Sequence, residues 1–340
     1  MASLAVDALI ILLTTGAIWI GSGWLEDSAE RLSAYYGLPD VVQGSIVTAV
    51  GSSFPELATV VFAALFVGSL DLGVGAIVGS AIFNILVIPG VAGITTDQDL
   101  EANRALVYKE AQFYMIAVSV LVITFALGVI YYPGGSGGAL VGTLTRPLAA
   151  IPLALYGLYI FIQYQDTADH EADPETGNDV ALFRQWGYLL AGLAVILLAV
   201  ERLVHSVDVI GQAFGIPGFI MGVTIAAGAT SLPDALVSVR AAREGRGVTA
   251  VANVLGSNTF DLLVAIPVGV LIVGSMPVDF EMAIPMFGAL TLATILLFTV
   301  LRTGLALTDA ESYVLVGAYV AFVCWVVLET LTRVVNVLPN

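Results

Sequence analysis

Gly51-Ser52-Ser53-Phe54-Pro55-Glu56 sits in the middle of an apolar run from about Val41 to Val67. Such a run is long enough to cross a bilayer, for which about 20 apolar residues suffice. Pro55 removes a helix hydrogen bond and clashes one turn back, a cost of about 3 kcal/mol or more. Glu56 at mid-membrane costs about 2.5–3.5 kcal/mol on the insertion scale. The same combination recurs as Ala229-Thr230-Ser231-Leu232-Pro233-Asp234 in a second apolar run. A lone Ser/Thr-Pro kink in a membrane helix reads as structural; two of one form, each with a carboxylate, read as a site.

The composition agrees with a polytopic membrane protein. Of 340 residues 59% are hydrophobic and 11% charged, and the mean hydropathy is +0.97. The first 24 or so residues carry Asp7 and no basic residue ahead of their apolar core. They read as a membrane helix rather than a signal peptide. A net charge of −16 excludes nucleic acid as a partner. Lys109 is the single lysine among eleven basic residues, and acid excess with so few lysines resembles proteins of high-salt cytoplasms, where screening removes like-charge repulsion. Cys324 is the only cysteine; it excludes an internal disulfide and reads as a packed core residue.

Ten apolar runs are predicted, near 3–24, 40–67, 72–94, 106–131, 143–163, 185–208, 217–243, 248–274, 281–302 and 310–334. Residues 164–184 between the fifth and sixth contain Asp166, Asp169, His170, Glu171, Asp173, Pro174, Glu175, Gly177 and Asp179, and read as a solvated acidic linker. The halves flanking it are copies. Gly37-Leu38-Pro39 recurs as Gly215-Ile216-Pro217. At the same offset Gly44, Ala49, Ser53 and Pro55 recur as Gly222, Ala227, Ser231 and Pro233, and Glu56 becomes Asp234. With one residue lost in the connecting loop the offset shortens by one. Gly79-Ser80 and Phe83 then recur as Gly256-Ser257 and Phe260, and Asn84 becomes Asp261. The division is a first repeat over 1–163 with its motifs in 37–94, the linker at 164–184, and a second repeat over 185–340 with its motifs in 215–274. Five runs per copy is odd, so the second copy enters the membrane from the opposite side. The expected fold is therefore all-α, with ten transmembrane helices as two inverted five-helix repeats.

Basic residues orient it. Arg31, Arg104, Lys109, Arg184, Arg240, Arg243, Arg246 and Arg302 fall on the side of the odd-to-even loops; Arg146, Arg202 and Arg333 fall on the other. The first side and the linker are expected in the cytoplasm of an inner-membrane protein with both termini outside, and the arginine cluster at 240–246 to set topology. Glu201, Arg202, His205 and Asp208 are expected to form an interfacial charge group at a helix end.

Spacing puts the polar groups of each motif on one helix face. Ser52 and Glu56, Thr230 and Asp234, Ser80 and Asn84, and Ser257 and Asp261 are all four residues apart. The prolines free carbonyls near Gly51 and Ala229, which in lipid must face protein or a wet cavity. Inversion brings the four stretches together near the midplane. They supply carboxylates from Glu56, Asp234 and Asp261, hydroxyls from Ser52, Ser53, Thr230, Ser231, Ser80 and Ser257, and the Asn84 amide. With no histidine or cysteine in it, this set suits hard cations such as Ca²⁺, Na⁺ or Mg²⁺. Gly73, Gly75 and Gly79 read as close helix contacts.

These stretches resemble the two Gly-Thr-Ser-Leu-Pro-Glu motifs of the sodium/calcium exchanger branch of the cation/calcium exchanger superfamily. Gly79-Ser80-Ala81-Ile82-Phe83-Asn84 and Gly256-Ser257-Asn258-Thr259-Phe260-Asp261 resemble that family's second motif, Gly-Ser-Asn-Ile-Phe-Asn/Asp. The resemblance implies that Glu56 and Asp234 hold calcium with backbone carbonyls near Ala49 and Ala227. It also implies that the hydroxyls of 52, 53, 230, 231, 80 and 257, with Asn84 and Asp261, complete flanking sodium sites. Asp234 stands for the family's glutamate, Ser52 for threonine, Ala229 for glycine and Ala81 for asparagine.

The expected function is Na⁺/Ca²⁺ antiport by alternating access, with no cofactor, no catalytic step and no protein partner beyond the bilayer. The smaller moving group would include the first and sixth helices. Protons replacing sodium on the same scaffold form the main alternative. An intramembrane aspartyl protease built on Asp234 and Asp261 lacks its Gly-x-Gly-Asp motif.

Overall fold

In the computed structural model, residues 2–36, 49–68, 70–96, 99–134, 140–168 and 181–337 are described. Almost all of them are helical. In order, α1 is Ala2–Tyr35, α2 Ala49–Ser52, α3 Phe54–Phe62, α4 Leu70–Ile94, α5 Gln112–Tyr131, α6 Arg146–Ala168 and α7 Leu182–Phe214. The remainder are α8 Gly218–Met221, α9 Ala227–Thr230, α10 Leu232–Arg243, α11 Gly247–Phe260, α12 Ile266–Val273, α13 Phe280–Arg302 and α14 Asp309–Val337. Eight helices among the described residues are long and apolar enough to cross a membrane. Gly218–Thr230 with Leu232–Arg243 makes a ninth span if this pair, bent by 46°, is taken as one. Of the second expected run only the part from Ala49 onward is described. Gly37, Leu38, Pro39 and Gly44 of the repeat, and His170 of the linker, lie outside the described residues.

Both helix breaks fall where the prolines put them. Ser53 between α2 and α3 has φ −85° and ψ 5°, and Ser231 between α9 and α10 has φ −82° and ψ −5°. The two serines adopt the same bridge-region backbone at equivalent positions. Each is followed by the Pro of its motif in the first turn of the next helix, where a missing N–H is least costly.

The one-residue shift between the copies resides in a helix, not in the connecting loop as the sequence suggests. Left-handed Gly68 (φ 69°) and Gly245 (φ 78°) end equivalent helices and already stand at the shorter of the two offsets. The extra residue of the first copy therefore precedes Gly68, where Ala63–Val67 forms a π-turn. A π-turn closes on residue i+5 and so absorbs one additional residue without breaking the helix. Another π-turn, Asp261–Ala265, restores the longer offset, so that Pro89 pairs with Pro267. That turn begins at a carboxylate of the motif itself.

Helix α4 is the centre of the molecule. Nearly its whole length is buried, including Val74, Ile77, Val78, Ile82 and Ile85. It crosses the α8–α9 segment at backbone distance because it carries glycine there. A Cβ on Gly75 would lie 2.2 Å from the Phe219 carbonyl oxygen, and one on Gly79 2.3 Å from that of Val223. Gly73 faces Val60 of α3 in the same way, its Cβ position 2.9 Å from Val60 Cα. The expected close helix contacts are therefore present.

Helices α1 and α7, of 34 and 33 residues, are each about 50 Å long at 1.5 Å per residue. They pack against one another through Ile18, Leu25, Ile196, Val200, Leu203 and Val204, a cluster that also takes in Ala58 of α3, Leu72 of α4, Met221 of α8 and Ala229 of α9. Helix α6 runs on to Ala168 and α7 starts at Leu182, so both ends of the expected linker are helical.

Two further sequence expectations change. Cys324 is exposed, because α14 is peripheral and turns Cys324 outward with Val320, Val327 and Leu328. Glu201, Arg202, His205 and Asp208 lie within α7, which continues to Phe214, and not at its end. There Arg202 pairs with Glu201 at 3.1 Å. In the short turn after α10, Glu244 accepts from Arg246 at 2.6 Å and Arg240 at 3.0 Å. These hydrogen bonds hold its carboxyl below the usual glutamate range.

Two small antiparallel sheets join the helix ends. Strand β1 (Leu100–Glu101) pairs with β4 (Ala306–Leu307), and β2 (Val141–Thr145) with β3 (Ser275–Asp279).

Candidate cation site

The breaks at Ser53 and Ser231 place Glu56 and Asp234 in the first turns of α3 and α10, each a turn beyond a hydroxyl. Helices α4 and α11 carry Ser80 with Asn84 and Ser257 with Asp261. The predicted side chains Ser52, Ser53, Glu56, Ser80, Asn84, Thr230, Ser231, Asp234, Ser257 and Asp261 are all at most 1% exposed. Ala227 is buried too, and its carbonyl accepts from the Ser231 N–H at 3.0 Å and the Thr230 hydroxyl at 3.4 Å. Ala49 opens α2.

The contacts cross between the halves. Ser52 Oγ and Ser257 Oγ are 3.2 Å apart, and the Ser53 hydroxyl donates to the Ser257 carbonyl at 3.3 Å. From the other side the Ser231 hydroxyl donates to Ser80 Oγ at 2.7 Å. Each broken helix thus meets the serine of the unbroken helix in the opposite half.

The acidic positions break this symmetry. Asn84 Nδ2 donates to Asp234 Oδ2 at 3.1 Å and to Asn258 Oδ1 at 3.0 Å. In the mirrored positions a second carboxylate, Asp261, stands where the first copy has the Asn84 amide. Both oxygens of Glu56, both of Asp261, Asp234 Oδ1 and Asn84 Oδ1 are buried with no hydrogen-bond partner among the described residues. Glu56 lies within the electrostatic reach of Asp261 and Asp234. Among the described residues the buried polar set includes no lysine, arginine or histidine. Carboxylates removed from water at several kcal/mol each thus have no counter-charge from the protein. Orphaned carboxylate oxygens without a basic side chain beside them fit a hard cation with oxygen ligands.

No three His, Cys, Asp or Glu side chains among the described residues converge tightly enough to hold a metal by themselves. Any ion therefore draws on the amide, hydroxyl and backbone oxygens as well as the carboxylates.

Asn258 is a buried member of this hydrogen-bonded set that the spacing argument passed over. It stands where the first copy has Ala81, and its Nδ2 donates to the Ala81 carbonyl at 3.0 Å and to Tyr114 OH at 3.3 Å. It thereby fixes Asn84 from the opposite half. Its place inside the Gly-Ser-Asn-Thr-Phe-Asp motif was a usable signal; Tyr114 left none, because only packing brings α5 to the site.

A protein-family model described as "Sodium/calcium exchanger protein" matches residues 6–165 and 184–328. The chain belongs to the sodium/calcium exchanger family. The sodium/calcium exchanger MaX1 of Methanosarcina acetivorans is 25% identical over 351 residues, covering 94% of this chain and 98% of that one. An uncharacterized membrane protein of Methanocaldococcus jannaschii is 27% identical over 274 residues, 78% of this chain and 82% of its own. Among solved structures, the sodium-calcium exchanger NCX_Mj soaked with 10 mM Na⁺ and zero Ca²⁺ shares the fold, with a TM-score of 0.64 at 21% identity over 94% of this chain and 99% of that one. Native YfkE shares it with a TM-score of 0.72 at 18% identity over 95% and 92% of the two chains. This family member is therefore a multi-span membrane protein of the cation exchange class.

Proposed function

We propose that this exchanger is an antiporter that moves Ca²⁺ against Na⁺ by alternating access, with the ions as its substrates and no catalytic step or cofactor. The observation that carries the reading is the set of orphaned carboxylate oxygens on Glu56, Asp234 and Asp261, buried without a basic residue beside them. Such a site is stable only when a cation supplies the missing charge. One calcium ion or several sodium ions do so, whereas the empty site resists closure. Transit then occurs only loaded, and exchange is obligatory.

The scaffold would be ten spans in two inverted five-helix repeats, counting each broken segment once. The strand pairing supports this. In that count β1 follows the third span and β4 the ninth, while β2 follows the fourth and β3 the eighth. Exchanging the repeats converts the β1–β4 pair into the β3–β2 pair, and an odd number of spans per repeat puts the two sheets on opposite faces. The α1–α7 pair, two long helices packed along one another, is the group that would move against the rest.

Calcium uptake into proteoliposomes tests the coupling. An outward sodium gradient is expected to drive ⁴⁵Ca²⁺ uptake, and a pH gradient without sodium to leave it at the background rate. The opposite result assigns protons as the coupling ion, since protons also neutralise orphaned carboxylates.

Orientation is tested separately. Cysteines at Ala213 and Glu244 in a Cys324→Ala background lie on opposite faces in the ten-span reading. An impermeant maleimide added outside is expected to label Ala213→Cys and spare Glu244→Cys, as the excess of basic residues on the Glu244 side requires. The reverse pattern inverts the assigned topology.

A further inference from the structure

Outside the four motif stretches, a further acid among the described residues buries an oxygen that has no partner. Glu26 of α1 is 9% exposed, and its Oε1 has no hydrogen-bond partner among the described residues. Ser22, one turn earlier, is 1% exposed and its Oγ is likewise without a partner. The pair repeats on α1 the hydroxyl–carboxylate spacing of Ser52 with Glu56 and Ser257 with Asp261, which places both groups on one face of the helix. That face turns inward. Helix α1 packs against α2, α9 and α10, the elements on either side of the two breaks. The Cγ of Glu26 lies 3.8 Å from the position of a Cβ on Gly51, the residue before Ser52.

Every charged group acting on Glu26 is acidic: Asp234 across the helix boundary, and Asp27 and Glu30 on α1 itself. A buried carboxylate in that company has no structural use. An apolar side chain of the same size would pack as well without the desolvation cost. Its position on α1, beside the two helix breaks, gives it a different use.

We propose that Ser22 and Glu26 form a side site on α1 for a hard monovalent cation, placed to pass that ion to the Ser52–Asp234 side of the central site. A single carboxylate is neutralised by one monovalent ion and left one charge in excess by a divalent ion. A hydroxyl and a carboxylate oxygen also match the oxygen preference of sodium. The identity of the ion as sodium rests on the sodium-coupled exchange proposed above. Because the site rides on α1, its distance from Asp234 changes whenever the α1–α7 pair moves, so occupancy would follow the transport cycle.

The test compares wild type, Glu26→Gln, Glu26→Asp and Ser22→Ala in proteoliposomes. Calcium–calcium exchange without sodium serves as the measure of assembled protein. Against that reference the sodium concentration for half-maximal calcium uptake is determined. Glu26→Gln is expected to require about tenfold more sodium, equivalent to about 1.4 kcal/mol of binding. Ser22→Ala is expected to require about threefold more, the scale of one lost hydrogen-bonding oxygen. Glu26→Asp, which keeps the charge on a shorter arm, should fall between Glu26→Gln and wild type. A sodium dependence in Glu26→Gln equal to that of wild type overturns the side site. Parallel loss of calcium–calcium and sodium-driven flux overturns it too, because Glu26 would then serve the central site or the framework. Failure of the exchange reading shows separately, as sodium-independent uptake by the wild type.

Discussion

Glu56→Gln is expected to lower calcium flux by about 100-fold or more. Both carboxylate oxygens of Glu56 are buried without a hydrogen-bond partner among the described residues, so its charge is left for a cation to balance. Removing one side of a buried charge pair costs about 3–5 kcal/mol, and each 1.4 kcal/mol is about tenfold in affinity. The amide adds an N–H₂ that points at neighbouring acceptors and at no ion. Asp261→Asn is the control. Its mirror position holds Asn84, whose amide already satisfies Asp234 and Asn258 across the interface. An amide at 261 would face Glu56 as Asn84 faces Asp234. Asp261→Asn is therefore expected to keep measurable calcium exchange, within about tenfold of wild type. Equal and complete loss in both variants would make Asp261 an ionised calcium ligand, and the parallel with Asn84 would fail. The measurement is initial-rate ⁴⁵Ca²⁺ uptake at fixed sodium gradient and matched protein.

The second large effect is at Asp234. Its Oδ2 accepts from Asn84, and its Oδ1 has no hydrogen-bond partner among the described residues. In Asp234→Asn the amide presents either an oxygen to Asn84 or an oxygen to the ion, and the negative charge is lost in both. A divalent ion then faces one fewer carboxylate in a closed site, and uptake should fall by about 100-fold. Asp234→Glu keeps the charge and extends the arm by one methylene, restoring the residue the family motif has here. Calcium accepts 6–8 oxygens at about 2.3–2.6 Å in flexible geometry, so either arm length can be accommodated. Asp234→Glu is thus expected to retain sodium-driven uptake within a few-fold and to lower the calcium concentration for half-saturation. Wild-type flux in Asp234→Asn would show that calcium does not use this carboxylate.

Much of the site was legible in the chain because its rules are local. A proline and an acid in an apolar run announce a break and a charge wherever the run packs. Four-residue spacing puts Ser52 above Glu56 whatever the partner helix. Symmetry between the halves then named the equivalent residues, and all the predicted polar side chains proved buried. Ser22 and Glu26 obey the same spacing rule, but they lie on a helix without a proline and have no copy in the second half, where Val200 and Val204 stand at the longer offset. A repeat-based reading passes over them for that reason.

The sequence by itself determined the membrane class, the recurrence of the motifs, the places where helices must break, and the oxygen-only make-up of the candidate site. Each of these follows from hydropathy, proline geometry or helix periodicity within a single apolar run or its copy. Only the tertiary structure decided which stretch meets which. Asn84 and Asp234 are 150 residues apart, and Ser52 and Ser257 are 205 apart. Asn84 reaches Asp234 because Gly75 and Gly79 let α4 approach the opposite broken helix at backbone distance. The tertiary structure also settled the location of the inserted residue, in the π-turn Ala63–Val67, since a helix can absorb one residue with no mark in composition. It turned Cys324 outward as well, because an apolar residue on a peripheral membrane helix is as stable against lipid as against protein.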